Sequence, residues 1–266
     1  MIHWTRYASP ASFFPLTDKL IPWFAVAAVV LGVIGIVIGL VIAPTDFQQG
    51  EVYRIIFIHV PAAWMGMFIY LIMAGYAALT LGFNTRLSAM MMQALAPTGA
   101  LFTALALWTG ALWGKPTWGT WWVWDARMTS TLILLFLYLG FLALDNAIED
   151  RRRADRAGAL LVLVGVVNIP IIYFSVSWWN TLHQGASISM TAAPKMAHLM
   201  LQGMLIMTLS CWAYAIAATL ARVRRLIIER ENGALWLDQW LDQWLDQRLD
   251  QRRDDPLDNQ LDKRIG

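Results

Sequence analysis

Six runs of roughly twenty apolar residues constrain this chain more than anything else in it. They lie at about 20–42, 55–82, 88–112, 128–147, 157–176 and 195–221. A helix of that length crosses the hydrocarbon layer of a bilayer. Helix is the form such runs take there, because each backbone N–H and C=O finds its partner within the same segment. The predicted fold class is therefore all-α, a polytopic membrane protein with six transmembrane helices. A charged fraction of 14% supports this, since soluble domains hold about a quarter. The first run is too long for a secretory signal and has no small-residue cleavage site, so it reads as a retained anchor. The chain divides into an N-terminal segment 1–19, a membrane domain 20–221 and a tail 222–266.

Lysine and arginine orient these spans. Sixteen of the twenty fall on the side that holds both termini, the turn 83–87 and the loop 145–156. The four on the other side are Arg54, Lys115, Arg127 and Lys195. Both termini are expected to be cytoplasmic, and the segments 43–54, 113–127 and 177–194 to face outward. A net charge of +2 gives no field for nucleic acid. The single cysteine, Cys211, excludes a disulfide framework, a CxxC pair and a thiolate metal site.

The outward stretch 113–130 reads WGKPTWGTWWVWDARMTS and holds five of the fifteen tryptophans, Trp113, Trp118, Trp121, Trp122 and Trp124. Gly114, Pro116 and Gly119 oppose a long regular helix at its start. A helical second half would put Trp118, Trp121, Trp122 and Asp125 on one face, at i, i+3, i+4 and i+7. Indole suits the membrane–water boundary, and an aromatic belt explains one or two such residues. Five within twelve positions, interrupted by glycine, fit a shelf for a flat apolar ligand. Asp125 at its edge has three open roles: capping the fourth helix, pairing with Arg127, or orienting the shelf.

Four histidines are present, and they differ in promise. His3 sits in the N-terminal segment. His198 lies one turn into the sixth span, as a buried hydrogen-bonding residue or a ligand. His59 stands at the outer end of the second span, two residues before Pro61, which disturbs the start of the helix. His183 follows Trp178 and Trp179 in an outward loop. Each alone is ambiguous. Together, two neutral imidazoles on separate elements can take opposite faces of one porphyrin iron while the tryptophans pack the macrocycle. Without a CxxCH motif, heme attachment would be noncovalent, that of heme b. Arg127 and Lys195 are the outward cations able to meet its propionates.

WGTWWVWD resembles the tryptophan-rich signature of heme-handling membrane proteins. Within that group, WGTWWVWDARMTS, IHVPAAW around His59 and WWNTLHQGAS around His183 resemble the CcmC family of bacterial cytochrome c maturation. The resemblance covers roughly 20–220. It implies that His59 and His183 are external axial ligands flanking a site built from Trp113, Trp118, Gly119, Trp121, Trp122, Trp124 and Asp125. It further implies a bacterial inner-membrane location with the site facing the periplasm. Heme would pass to the chaperone CcmE, in complex with CcmD, and the transporter subunits CcmA and CcmB would release the loaded chaperone.

Two other functions compete. An electron-transfer cytochrome of the b type needs histidines at membrane depth on facing helices. An aromatic-gated transporter needs ionisable residues along its spans, and these spans carry almost none. That scarcity also implies that heme reaches the site from the outer leaflet rather than through the centre. No hydrolytic triad or outward carboxylate pair is present, so the chain reads as a transfer protein rather than an enzyme. In the tail, WLDQ repeats from Trp236 place Trp and Leu opposite Asp and Gln, an amphipathic helix suited to a membrane surface or a partner. A functionless repeat expansion is the simpler reading.

Overall fold

The computed structural model describes residues 8–179, 181–183 and 196–253, with side chains up to residue 246. Its described residues form helices α1 (Pro10–Ile36), α2 (Ile56–Phe83), α3 (Arg86–Trp118), α4 (Ala126–Ala147), α5 (Arg151–Gly165), α6 (Asn168–Trp178), α7 (His198–Arg230) and α8 (Leu235–Arg253). Six helical segments are long and apolar enough to cross a membrane: Pro10–Ile42, Glu51–Phe83, Arg86–Trp118, Ala126–Ala147, Arg151–Trp178 and His198–Arg230. The all-α, six-span prediction matches. The first span begins ten residues before the apolar run because Ser9 caps α1 and Pro10 occupies its first turn, where a missing N–H costs nothing.

α3 is the central helix, and most of its length is buried. Its partners α2 and α4 approach closely at small residues. Tyr138 of α4 fits over Gly99 of α3, where any Cβ would overlap the ring. The Tyr138 hydroxyl donates to the Gly66 carbonyl of α2 at 2.8 Å. In lipid no hydrophobic force draws helices together, so close packing and such hydrogen bonds carry the association. α1 is the most lipid-exposed span. It lies along α7 through Gly32 and Gly35, with the Ser210 hydroxyl donating to Ala28 O at 2.7 Å.

α1 ends in a π-helical turn, Val37–Ile42. There Arg54 Nη1 donates to Gly39 O at 2.7 Å, and Gly39 packs on the Phe57 ring. The fifth span is broken: α5 stops at Gly165 and α6 restarts at Asn168, whose buried amide donates to Ser130 O at 2.8 Å. At the end of the bundle holding the α2–α3 and α4–α5 turns, ionisable groups gather in a partly buried network. Arg230 forks onto Asp155 at 2.9 and 3.0 Å and donates to Gln93, which in turn donates to Asp145. Arg222 donates to Ala94 O and to the Thr98 hydroxyl. The near absence of ionisable residues expected along the spans agrees with this placement, since these helix-borne charges cluster at one end of the bundle.

The WLDQ helix α8 neither floats nor lies apart. It folds back on its own chain, where Trp236 and Trp240 pack edge-on against Phe14 of α1 at 6.1 and 4.9 Å. Arg224 of α7 sits over both Phe14 and Trp240 and pairs with Asp18 at 3.0 Å. The apolar face foreseen in the repeats is real, and its first two repeats pack within the molecule through Trp236, Leu237, Trp240 and Leu241.

Candidate functional site

At the opposite end of the bundle, one cavity is lined by both histidines singled out from the sequence. α2 contributes His59 and Ala63, α3 contributes Gly110, Trp113 and Trp118, and α4 contributes Arg127 and Met128. His183 comes from the segment after α6. The walls are otherwise mainly apolar.

His59 is held in one orientation. Its Nδ1 lies 3.1 Å from the Thr109 hydroxyl, which itself donates to Leu105 O at 2.6 Å. With that proton committed, the hydroxyl must accept, so Nδ1 carries the ring hydrogen and Nε2 keeps a bare lone pair. The edge of Trp113 meets the ring at 5.6 Å and 80°, and the Trp113 indole N–H is anchored on Gln49 Oε1 at 2.8 Å. Gly110 makes room for the imidazole, since a Cβ there would lie 3.1 Å from His59 Cε1. Pro61 does not break α2 at its start. It stands buried inside the helix, and the disturbance lies upstream, in a 3-10 turn at Glu51–Ile55.

His183 packs against the Trp118 ring at 5.3 Å. Its Nδ1 faces Asp125 Oδ2 at 4.0 Å, too far for a hydrogen bond. Both atoms are buried without a hydrogen-bond partner among the described residues. Burial first, and then the Arg127 charge, push the His183 pKa down to about 4, against the opposing pull of Asp125. The imidazole is therefore neutral at physiological pH, the form that ligates metals.

Asp125 caps α4, its Oδ1 accepting from Met128 N at 2.8 Å. No ion pair joins it to Arg127 among the described residues. The expected helical face of tryptophans does not form. α3 runs on through Gly114 and Pro116 to Trp118 and ends at Gly119 in the left-handed region, φ 79°. From Gly119 to Asp125 the chain is non-helical. In consequence Trp113 and Trp118 line the cavity, while Trp121, Trp122 and Trp124 lie outside its wall. Trp121 and Trp124 are exposed, and Trp122 packs on Trp124 at 5.3 Å with its buried N–H unpartnered. His198 is exposed at the first residue of α7 and does not line the cavity. His3 and Lys195 lie outside the described residues. Sequence reasoning missed Thr109, Gly110 and Gln49, whose importance rests on distances that no spacing rule encodes.

The donor set suits a heme. One imidazole nitrogen is bare, a second imidazole is neutral, two indoles and apolar walls surround them, and a guanidinium stands alongside. Among the described residues, His183 Nδ1 and Asp125 Oδ2 are orphaned polar atoms at this cavity.

Comparison with known proteins agrees in extent as well as kind. The family model of CcmC, heme exporter protein C, matches residues 3–238. Heme exporter protein C of Escherichia coli K12 is 46% identical over 238 residues, covering 88% of this chain and 94% of that protein. The protein of that name from Paracoccus denitrificans is 40% identical over 231 residues, covering 86% and 95%. A ccmC-like mitochondrial protein of cytochrome c biosynthesis from Marchantia polymorpha is 49% identical over 167 residues, covering 63% and 68%. This chain belongs to the CcmC family of heme exporter protein C.

Proposed function

We propose that this protein holds heme b at one end of its bundle, with His59 and His183 as opposite axial ligands, and passes it on during cytochrome c maturation. The observation that carries this reading is the meeting of two imidazoles from separate elements on one largely apolar cavity beside a guanidinium. His59 offers Nε2 because Thr109 fixes its tautomer. His183 would offer Nε2 once its Nδ1, now 4.0 Å from Asp125 Oδ2, closes to donate to that carboxylate. Arg127 meets the propionate carboxylates, as guanidinium suits planar anions. Trp113 and Trp118 pack the macrocycle, with Gly119 turning the chain after them. Exposed Trp121 and Trp124, with Trp122 behind, present the surface on which an acceptor docks.

In this reading the site faces the periplasm of a bacterial inner membrane, as the lysine and arginine distribution supports. The acceptor is the heme chaperone CcmE, and CcmD, CcmA and CcmB complete the assembly. The protein's own work is positioning and ligand exchange, with the redox chemistry belonging to the iron. Absorption spectra of the purified protein test the site. The wild type should show low-spin, bis-imidazole heme, turned high-spin or lost in His59→Ala and in His183→Ala. Unaltered spectra in both variants would refute the axial pair.

A further inference from the structure

A second cavity opens on the lipid-facing side of the bundle, between α2, α6 and α7. Trp64, Phe68 and Leu71 of α2, Tyr173 and Phe174 of α6, and Trp212 of α7 form most of its lining. Among these, Phe68, Leu71, Tyr173 and Phe174 are exposed, on spans that cross the bilayer. The groove holds about 470 Å³ of free space. Thr208 is the polar group on the wall besides Tyr173 and the indoles, and its hydroxyl is already spent on Met204 O at 2.8 Å.

The two spaces share a partition. Trp64 and Met67 line both of them. α2 thus carries two adjacent stripes. His59, Ala63 and Gly66 face the ligand cavity, and Trp64, Phe68 and Leu71, at i, i+4 and i+7, face the groove. The groove lies between about one and three helical turns below His59, within the hydrocarbon layer. Met67 is unbranched and can change rotamer without moving the backbone. α6, the opposite wall, is a short helix cut off from α5 and packed mainly on α4, so it borders α2 without being locked to it.

We infer that this groove is a lateral portal through which heme passes from the bilayer into the histidine cavity, with Trp64 and Met67 as the gate. The inference rests on the heme reading of that cavity and adds its route. Continuity with the cavity selects the occupant. A lipid chain or a partner helix would account for the apolar wall, but neither requires a two-residue partition behind it leading to paired imidazoles. A porphyrin does, because its macrocycle partitions into hydrocarbon and its iron has to reach both rings. Aromatic faces on all three helices suit a planar guest.

The test uses the full chain, stripped of heme and reconstituted in nanodiscs, with hemin supplied from lipid vesicles and loading followed by stopped-flow absorbance. Leu71→Trp fills the exposed lip, and Thr208→Trp fills the groove wall. Neither residue lines the histidine cavity. Both variants should load about tenfold more slowly than wild type, yet reach the same final bis-imidazole spectrum. Tyr173→Ala, which widens the groove, should load faster. Wild-type rates in both filled variants would overturn the portal. So would slow loading that ends in an altered spectrum, because the filling would then act on the ligand cavity itself. A wild type that never acquires the spectrum refutes the histidine site instead, an outcome visible before any variant is compared.

Discussion

Asp125 does two things with two oxygens, and the two can be separated. Oδ1 caps α4 on Met128 N at 2.8 Å, while Oδ2 faces His183 Nδ1 at 4.0 Å. In the proposed heme site, a closure of about 1 Å on ligand binding would make the second contact a hydrogen bond, and the carboxylate would then fix His183 with its proton on Nδ1 and Nε2 bare for iron. Asp125→Asn keeps the cap, since Asn ranks beside Asp at that position. Its amide N–H₂ now faces His183, drives the ring proton to Nε2 and blocks the ligating atom. Heme affinity should fall about 10- to 100-fold, equivalent to about 1.4–2.7 kcal/mol. The thermal stability of the heme-free protein should stay within about 0.5 kcal/mol of wild type. Asp125→Ala should lose the affinity and, in addition, about 1 kcal/mol of stability through the missing cap. Hemin titration and thermal unfolding of the heme-free proteins read the two effects apart. If Asp125→Asn bound heme as tightly as wild type, the carboxylate would be a helix cap and nothing more.

Thr109→Val removes the hydroxyl beside His59 Nδ1 and should weaken heme binding about tenfold, whereas Thr109→Ser should not; equal affinity in the two would remove Thr109 from the site. Gly99→Ala forces Tyr138 off its seat and should cost about 1–3 kcal/mol of stability in thermal unfolding, with no loss meaning that the ring has somewhere else to go. In the heme-free protein His183 should stay neutral as pH falls through 6 and take up a proton only near 4. Because its pKa is depressed, the contribution of this residue to stability is complete above about 6.5 and drains away between there and about 4. Histidine-selective NMR reads the midpoint, and titration near 6.5 would contradict the burial.

The spans were legible because bilayer thickness leaves apolar run length little latitude, and the cap at Asp125 because its chemistry is local. That His59 and His183 would meet at one cavity was legible through topology and the family motifs, which brought two segments together before any distance was known. The tryptophan stretch was misread for a physical reason. Gly114 and Pro116 were taken as breakers, yet they lie in the last turn and a half of a long helix already nucleated from Arg86, where one lost hydrogen bond is tolerated. Of the three residues named as opposing a helix, only Gly119 ends it, and that break sends Trp121 and Trp124 outward. The gap between α5 and α6 was hidden because Val166 and Val167 are as apolar as any span residue. The docking of α8 was hidden because an amphipathic face states that something covers it, not what.

That docking bears on how the molecule is made. Phe14 and Trp240 are separated by most of the chain, and their contact fastens the first helix to the last. Loop-closure entropy makes so distant a pairing a late event. During synthesis, then, Phe14 waits first for Arg224 of α7 and last for the indoles of α8. A chain cut before α8 leaves Phe14 without its two indole neighbours, so the end of the bundle closes only when the WLDQ helix is in place.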